Sequence, residues 1–232
     1  MSRARIAVLA SGGGSNMQAL DDHFQSLGAA RGGDIMLVAS NRADAGALER
    51  AARACIETCV IPDDDALGDM LAAHRIDFVV LAGYLKLIPP GITQRFAGRM
   101  VNVHPAPLPA FGGVGMYGAR AHRAVLASGV KASGPTVHFV DEVFDHGATI
   151  AHWPVPVLPG DDAPALAARV LRAEHLLFPR AVQAVASRTI VLDANGHPSA
   201  PLFASPPALF DPAHSDVELA KRLDALLLTA NT

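Results

Sequence analysis

Residues 5–16 read RIAVLASGGGSN, an apolar run that ends in three glycines and a polar pair. The run is typical of a buried strand, and the glycines permit a sharp turn into a helix that starts near Asn16. Backbone amides and the positive end of that helix can hold a phosphate, although a tight turn without a ligand needs the same glycines. The stretch therefore predicts the first strand and helix of an α/β fold.

The residues around this turn argue against a nicotinamide dinucleotide. A dinucleotide-binding loop needs a third glycine near the position of Met17 and an acidic residue after the second strand. The chain has Ser40 and Asn41 after that strand. We therefore interpret the turn as a phosphate site or as a plain turn.

Apolar strand patterns alternate with helical patterns through the first half of the chain. Such alternation requires crossover connections and a mostly parallel sheet. We predict a Rossmann-like α/β fold, an open sheet with helices on both faces and ligands at the carboxyl ends of its strands. The predicted strands cover residues 5–10, 35–40, 58–61, 78–81 and 100–104, and further helices cover residues 45–54, 64–74 and 90–96.

The regular alternation of strand and helix patterns ends in the second half of the chain. Two strands there could pair antiparallel, and a long helix closes the core. We predict one domain over residues 1–187 and a C-terminal tail over residues 188–232 that packs on it. The predicted elements are a loop over 105–118, a helix over 119–128, strands over 136–140 and 148–157, the helix over 162–186, a hairpin that turns at Asn195–Gly196 and a short helix over 217–228.

Bulk composition limits the classes of function. Of the 232 residues 50% are hydrophobic, 18% are charged, and the net charge is −3, which suits a globular protein and disfavours nucleic acid. No apolar run reaches the roughly 18 residues of a membrane helix. Cys55 and Cys59 fit neither a redox pair nor a zinc site, so we expect idle thiols, no metal and a reducing, cytoplasmic location.

Asn102 and His104 end the fifth predicted strand. Because side chains alternate along a strand, both should point to the same side. Each residue alone is more often structural, but at the end of a parallel strand the pair could donate hydrogen bonds to one developing oxyanion.

Residues 138–147, HFVDEVFDHG, form a strand that runs into an acidic loop with Asp141, Glu142 and Asp145. Surface turns are commonly acidic, so this pattern alone indicates little. A carboxylate that meets His104, however, would orient the ring and favour its protonated form.

Five segments in order along residues 5–187 resemble the folate-dependent phosphoribosylglycinamide formyltransferase family. Any one of them could mislead, but five in the family's order are specific. The segments are SGGGSN (Ser11–Asn16), LAGYLKLIPP (Leu81–Pro90), VNVHPAPLPAF (Val101–Phe111), GPTVHFVDEVFDHG (Gly134–Gly147) and RAEH (Arg172–His175).

The resemblance implies an acyl transfer and its catalytic residues. By position, the family's catalytic Asn, His and Asp match Asn102, His104 and Asp145. The implied reaction moves the formyl group of 10-formyltetrahydrofolate to the amine of N1-(5-phospho-D-ribosyl)glycinamide in de novo purine (IMP) synthesis. Asn102 and protonated His104 would stabilise the oxyanion, while Asp145 would hold His104 and help to move protons.

The resemblance also implies two binding regions and no metal. Gly14, Ser15 and Asn16 are expected at the substrate phosphate and ribose, and Glu174 at the ribose hydroxyls or the glycinamide. The folate is expected along an apolar segment, which could equally be core, and along the acidic loop. Its implied contacts are Leu85, Lys86, Leu87, Ile88, Asn102, Asp141, Glu142, Val143, Phe144 and Asp145.

The chain departs from the family pattern near both ligands. Leu171 stands where many members have a basic or amide side chain, and Arg172 is the nearest cation. Arg120 stands where a His is common, in a long glycine-rich loop over residues 111–122. The acidic segment between the third and fourth strands lacks an obvious cation for the glutamate tail of the folate.

Three other functions stay open. A formyltetrahydrofolate hydrolase shares the Asn, His and Asp chemistry with water as the acceptor, but usually carries an N-terminal regulatory domain, which we do not expect here. Methionyl-tRNA formyltransferase needs a basic C-terminal domain, whereas this tail holds few cations. A non-catalytic nucleotide-binding domain would need only the glycine turn. We expect the two small molecules as partners, and a monomer or a homodimer.

Overall fold

A computed structural model describes residues 3–228. The strands are β1 Ala4–Leu9, β2 Gly33–Ser40, β3 Glu57–Val60, β4 Phe78–Leu81, β5 Met100–His104, β6 Ala132–Ser133, β7 Thr136–Phe139, β8 Thr149–His152 and β9 Val155–Pro156. The helices are α1 Ser15–Leu27, α2 Gly46–Arg53, α3 Asp64–Ala73, α4 Pro90–Arg95, α5 Ala119–Ser128, α6 Ala163–Ala186 and α7 Asp216–Leu226.

Seven strands form one sheet in the order β3-β2-β1-β4-β5-β7-β8. The strands β1 to β5 are parallel to one another, whereas β7 pairs antiparallel with both β5 and β8. The predicted fold class is confirmed: a mostly parallel Rossmann-like sheet with antiparallel strands toward the C-terminal part.

The core has one cluster on each face of the sheet, and β1 contributes to both. Ile6 and Val8 belong to the cluster that packs with α1 and α6, while Ala7 and Leu9 belong to the cluster that packs with α3 and α4. Alternate side chains of a strand point to opposite faces, so a central strand covered on both sides must be apolar throughout.

The prediction of a single strand over residues 148–157 is wrong. The structure divides this run into β8, which extends the large sheet, and β9, which pairs with β6 in a separate two-stranded sheet. Pro154 lies at the division and has no amide hydrogen to donate to a ladder. Next to it, the backbone at Gly134 packs so closely on the Trp153 carbonyl that a side chain would not fit.

Helix α6 is the long helix that closes the core. Its N-terminus is capped by Asp162, whose side chain accepts from the Ala165 amide at 2.8 Å. The buried face includes Leu177 and Phe178, and it also carries Glu174 toward the carboxyl ends of the strands. Within residues 3–228 we find no helix that is both long and apolar enough to cross a membrane.

The tail after residue 187 packs on the sheet domain through aromatic and ionic contacts. The Trp153 indole donates to the Ala208 carbonyl at 2.8 Å, and its ring meets Phe210 edge-on at 5.2 Å. The Arg180 side chain, 6% exposed, donates from Nε and Nη2 to the Asp224 carboxylate of α7. These contacts join the tail to β8, β9 and α6.

The turn predicted at Asn195–Gly196 is present, but it is not flanked by a two-stranded ladder. The Gly196 amide donates to the Asp193 carbonyl, and one isolated bridge joins Leu192 to Pro198. The predicted domain limits include residues 1–2 and 229–232, which lie outside the described residues.

We expect Phe210→Ala to lower the free energy of unfolding by about 3–5 kcal/mol, because it removes a ring that is only 1% exposed and leaves a cavity beside Trp153. Urea unfolding followed by circular dichroism measures the change. The adjacent Leu209 is 55% exposed, so Leu209→Ala should change the same quantity by less than about 0.5 kcal/mol. Equal effects of the two substitutions would contradict the packing of the tail.

Candidate active site

A cleft of about 700 Å³ opens at the carboxyl ends of β4 and β5. Parallel sheets place ligands at this edge, because the loops and helix ends that follow the strands converge there. One wall is formed by the loop after β4 and the loop after β7, and the other by the loop before α5 and by α6. The end of β5 forms the floor, with Asn102 and His104 among the lining residues.

His104, the last residue of β5, is 3% exposed and has oxygen atoms next to both ring nitrogens. Its Nδ1 lies 3.2 Å from Asp145 Oδ2, and its Nε2 donates to the Phe111 carbonyl at 2.8 Å. Carbonyl and carboxylate oxygens accept hydrogen bonds, so only a ring that is protonated on both nitrogens satisfies both contacts. The geometry therefore suits a cationic donor at the cleft floor.

His138 also lies at the cleft floor, beside Asn102 and Asp145, and the sequence analysis assigned it no role. It lies directly opposite Asn102 in the antiparallel pairing of β5 and β7. Its Nδ1 donates to the Phe139 carbonyl at 2.7 Å, which leaves Nε2 to accept from Asn102 Nδ2 at 3.1 Å. His138 thus fixes the amide of Asn102 with its nitrogen toward the other catalytic candidates. The only sequence signal is its place in the HFVDEVFDHG segment.

Asp145 joins the loop after β7 to the two histidines. Burial alone would raise the pKa of its carboxyl, but the hydrogen bond and the charge of His104 and the hydrogen bond from the Gly113 amide hold that pKa well below its usual range. The Gly113 amide donates at 3.0 Å, and Asn102 Nδ2 approaches Oδ1 at 3.4 Å. Asp145 has a φ of 54°, a conformation that non-glycine residues avoid except under local constraint.

The glycine turn lies beside the cleft, with Asn16 as its lining residue. Gly14 has a φ of 77° and packs so tightly on α2 that a Cβ atom would come within 2.5 Å of Ala47 Cα. Helix α1 starts at Ser15 with no side chain capping its first amides. These amides are available to an anion, although Gly14 and Ser15 themselves lie outside the cleft lining.

Glu174 on α6 meets Asn16 across the cleft. Asn16 Nδ2 donates to Glu174 Oε2 at 2.8 Å, and Glu174 is 6% exposed. Burial raises the pKa of the Glu174 carboxyl to about 7, although the hydrogen bond from Asn16 and the charge of His104 act in the opposite direction. Near neutral pH this carboxyl can therefore hold or release a proton.

We expect Glu174→Gln to remove a pH-dependent part of the stability. The folded chain holds the Glu174 proton more tightly than the unfolded chain, since its pKa rises from 4.5 to about 7. The wild-type free energy of unfolding should therefore fall, relative to the variant, by on the order of 3 kcal/mol as pH rises from 4.5 through 7. Urea unfolding of both proteins at pH 5 and pH 8 measures it, and parallel pH profiles would contradict the shift.

The segments predicted to contact the folate form one wall of the cleft. Leu85 and Leu87 are 49% and 42% exposed, which separates them from ordinary core residues, while Ile88 is buried. Lys86 pairs with Asp64 at 2.7 Å. All four residues of this segment that were predicted to contact the folate, Leu85–Ile88, line the cleft.

The acidic loop after β7 supplies the neighbouring part of that wall. Asp141, Val143, Phe144 and Asp145 line the cleft, whereas Glu142 does not and accepts from Gln94 at 2.7 Å instead. Val143 is 58% exposed, so its side chain is available to cover a ligand. Among residues 3–228 no group of three or more His, Cys, Asp or Glu side chains could hold a metal ion.

A family model described as formyl transferase matches residues 4–182. The chain belongs to the formyl transferase family. The match covers the whole sheet and nearly all of α6, and therefore includes each of the cleft-lining elements. The sequence-based prediction of a formyltransferase is confirmed at this level.

Relatives within the family point to one branch of it. The chain is 42% identical over 205 residues to a chloroplastic phosphoribosylglycinamide formyltransferase of Vigna unguiculata, covering 84% of this chain and 65% of that protein's length. It is 39% identical to the enzyme of the same name from Haemophilus influenzae, covering 77% of this chain and 85% of the relative. The predicted resemblance is confirmed.

A solved structure of a phosphoribosylglycinamide formyltransferase from Anaplasma phagocytophilum has the same fold. It superposes with a TM-score of 0.78 at 34% identity and covers 86% of this chain and 94% of that chain. The formyl transferase fold thus places two potential N–H donors, on Asn102 and His104, and the Asp145 carboxylate around one point of the cleft. Such a constellation can polarise a carbonyl and accept a proton, which are the requirements of acyl transfer.

Proposed function

We propose that this chain transfers the formyl group of 10-formyltetrahydrofolate to the amine of N1-(5-phospho-D-ribosyl)glycinamide, a step of de novo purine (IMP) biosynthesis. The observation that carries the proposal is the convergence of Asn102, His104 and Asp145 at the floor of one cleft. The relatives of that name, at about 40% identity, support the choice of substrates.

The amine nitrogen attacks the formyl carbon, and the carbonyl electron pair moves to the oxygen. Asn102 Nδ2 and His104 Nε2 donate to that oxyanion, the latter after it leaves the Phe111 carbonyl. When the tetrahedral intermediate collapses, the carbonyl re-forms, the bond from carbon to N10 of the folate breaks, and N10 takes up the proton that the amine released. Asp145 orients His104 and, through water, passes the proton that the amine releases on to N10.

The amine substrate enters from the side of α1 and α6. The uncapped amides at Ser15 and Asn16 suit its phosphate, and the Glu174 carboxyl suits the ribose hydroxyls or the glycinamide. The close contact of Gly14 with Ala47 keeps the turn in the conformation that presents those amides.

The folate enters along the opposite wall. Backbone groups of Leu85–Ile88 and of the loop over residues 141–145 form hydrogen bonds with the amide-like edge of its pterin ring. The exposed Leu85, Leu87 and Val143 side chains pack on the faces of that ring. The chemistry needs no metal, because the two N–H donors supply the charge stabilisation.

Several finer predictions belong to the same proposal. We place the catalytic domain at residues 1–187, supported by the family match over residues 4–182. The tail over residues 188–232 packs on it, supported by its contacts to Trp153 and Arg180. We further propose a cytoplasmic enzyme that acts as a monomer or homodimer and binds no nucleic acid.

The proposal is tested by following deformylation of 10-formyltetrahydrofolate by absorbance, with and without glycinamide ribonucleotide. Turnover that requires the amine supports the transferase. Equal turnover without the amine would move the assignment to the hydrolase, for which the relatives' names offer less support. No turnover in either case would favour a binding protein.

A further inference from the structure

The amine side of the cleft contains acidic and apolar groups but has to accept a phosphate. Glu174 and Leu171 line this side, and Leu171 is 37% exposed with an apolar side chain. A cation would stabilise a phosphate dianion beside that carboxyl more than backbone amides alone, and the guanidinium of arginine matches phosphate geometry. Four positively charged side chains near the cleft or the glycine turn could supply this cation: Lys86, Arg50, Arg120 and Arg172. Arg50 is held at the turn, where its Nε donates to the Gly13 carbonyl at 2.8 Å, and it does not line the cleft.

Arg172, the residue next to Leu171, is held by the tail. Its Nε and Nη2 lie 2.9 Å and 2.8 Å from Asp216 Oδ1, and Nη2 also donates to the His214 carbonyl at 2.8 Å. Its guanidinium lies over the Phe210 ring at 5.3 Å. Because a helix turns by about 100° per residue, Arg172 faces the tail while Leu171 faces the cleft. Arg172 is not among the lining residues.

Lys86 also has a partner and lies on the other wall. It donates to Asp64 at 2.7 Å and belongs to the segment assigned to the folate. A phosphate at the N-terminus of α1 would compete with that carboxylate and with the folate for a single ammonium group.

Arg120 lines the cleft and, within residues 3–228, has no ion pair and no hydrogen bond from its side chain. It lies in the first turn of α5, and α5 packs against α6, the helix that carries Leu171 and Glu174. Its guanidinium is 5.2 Å from the centroid of the Tyr117 ring, a contact that orders the side chain without neutralising its charge.

We propose that Arg120 binds the phosphate of the amine substrate and makes the enzyme selective for phosphorylated over unphosphorylated amines. The guanidinium reaches the phosphate from α5, opposite the amides of the glycine turn, so that the phosphate is held between the two. This inference rests on the proposed formyl transfer, and it adds the residue that recognises the substrate's charge.

The test compares Arg120→Gln with wild type on two amines, glycinamide ribonucleotide and the same molecule without its phosphate. KM for the ribonucleotide should rise by about 10- to 100-fold, the loss typical of one charge-assisted contact, while kcat/KM for the unphosphorylated amine should stay unchanged. Arg123→Gln is the matched control, because Arg123 is an exposed arginine on the same helix that does not line the cleft.

A second variant distinguishes charge recognition from a folding defect. In the double variant Arg120→Gln with Leu171→Lys, the new ammonium group enters the same side of the cleft and should restore most of the lost selectivity. Equal losses on both amines, or an unchanged KM for the ribonucleotide, would overturn the proposal for Arg120. If wild type formylates neither amine, the proposed function itself fails, and the two failures are therefore distinguishable.

Discussion

Replacing His104 with alanine should lower kcat by about 10²- to 10⁴-fold and leave both KM values within a few-fold of wild type. The ring lies at the cleft floor with an acceptor oxygen beside each nitrogen, Asp145 on one side and Phe111 on the other. The substitution removes the cationic donor to the oxyanion. The oxyanion develops only in the transition state and in the tetrahedral intermediate, so its loss of stabilisation affects kcat. Substrate binding relies on the cleft walls, so KM should change little.

Steady-state kinetics with both substrates measures this effect. His197→Ala is the control, because His197 is exposed in the tail and its side chain lies away from the cleft. Circular dichroism should show the same fold for both variants. A loss of less than tenfold for His104→Ala would remove this residue from the chemistry.

Asp145→Asn should lower kcat by a similar factor, about 10²- to 10⁴-fold, without changing the size of the side chain. The carboxylate is 10% exposed and lies next to His104, His138 and the Gly113 amide. An amide at this position has no charge to stabilise the imidazolium and cannot accept the proton that the amine releases. Its NH₂ group could also face the Gly113 amide, donor against donor.

The control for charge removal is Asp69→Asn, since Asp69 is an exposed carboxylate of α3 that lies outside the cleft lining. Thermal unfolding separates a loss of activity from a loss of folding. If Asp145→Asn retained more than a tenth of wild-type kcat, the carboxylate would be structural, and proton transfer would fall to another group such as Glu174.

The parallel part of the fold could be predicted because its signals are local. The strands β1 to β5 are short apolar runs, and burial on both faces requires that composition regardless of what each strand packs against. The division at Pro154 was not predictable in the same way. An apolar run over residues 148–157 looks continuous, and its two parts differ only in their partners, β7 for β8 and β6 for β9.

The candidate site shows the same limit. Asn102, His104 and Asp145 lie in recognisable segments, whereas His138 is linked to Asn102 only by antiparallel pairing across 36 positions of sequence. Arg172 follows Leu171 directly in sequence, yet it contacts Asp216 and His214 of the tail and does not line the cleft. Which side chains meet in the cleft and which bind elsewhere depends on tertiary contacts, and local sequence patterns do not encode these contacts.

The most direct test of the account follows the formyl carbon itself. The protein is incubated with 10-formyltetrahydrofolate labelled in the formyl carbon and with glycinamide ribonucleotide, and the products are separated by mass spectrometry. The account predicts that the label appears in the N-formyl product of the ribonucleotide, and that His104→Ala abolishes most of this transfer. Label found in free formate at the same rate with and without the amine would contradict it.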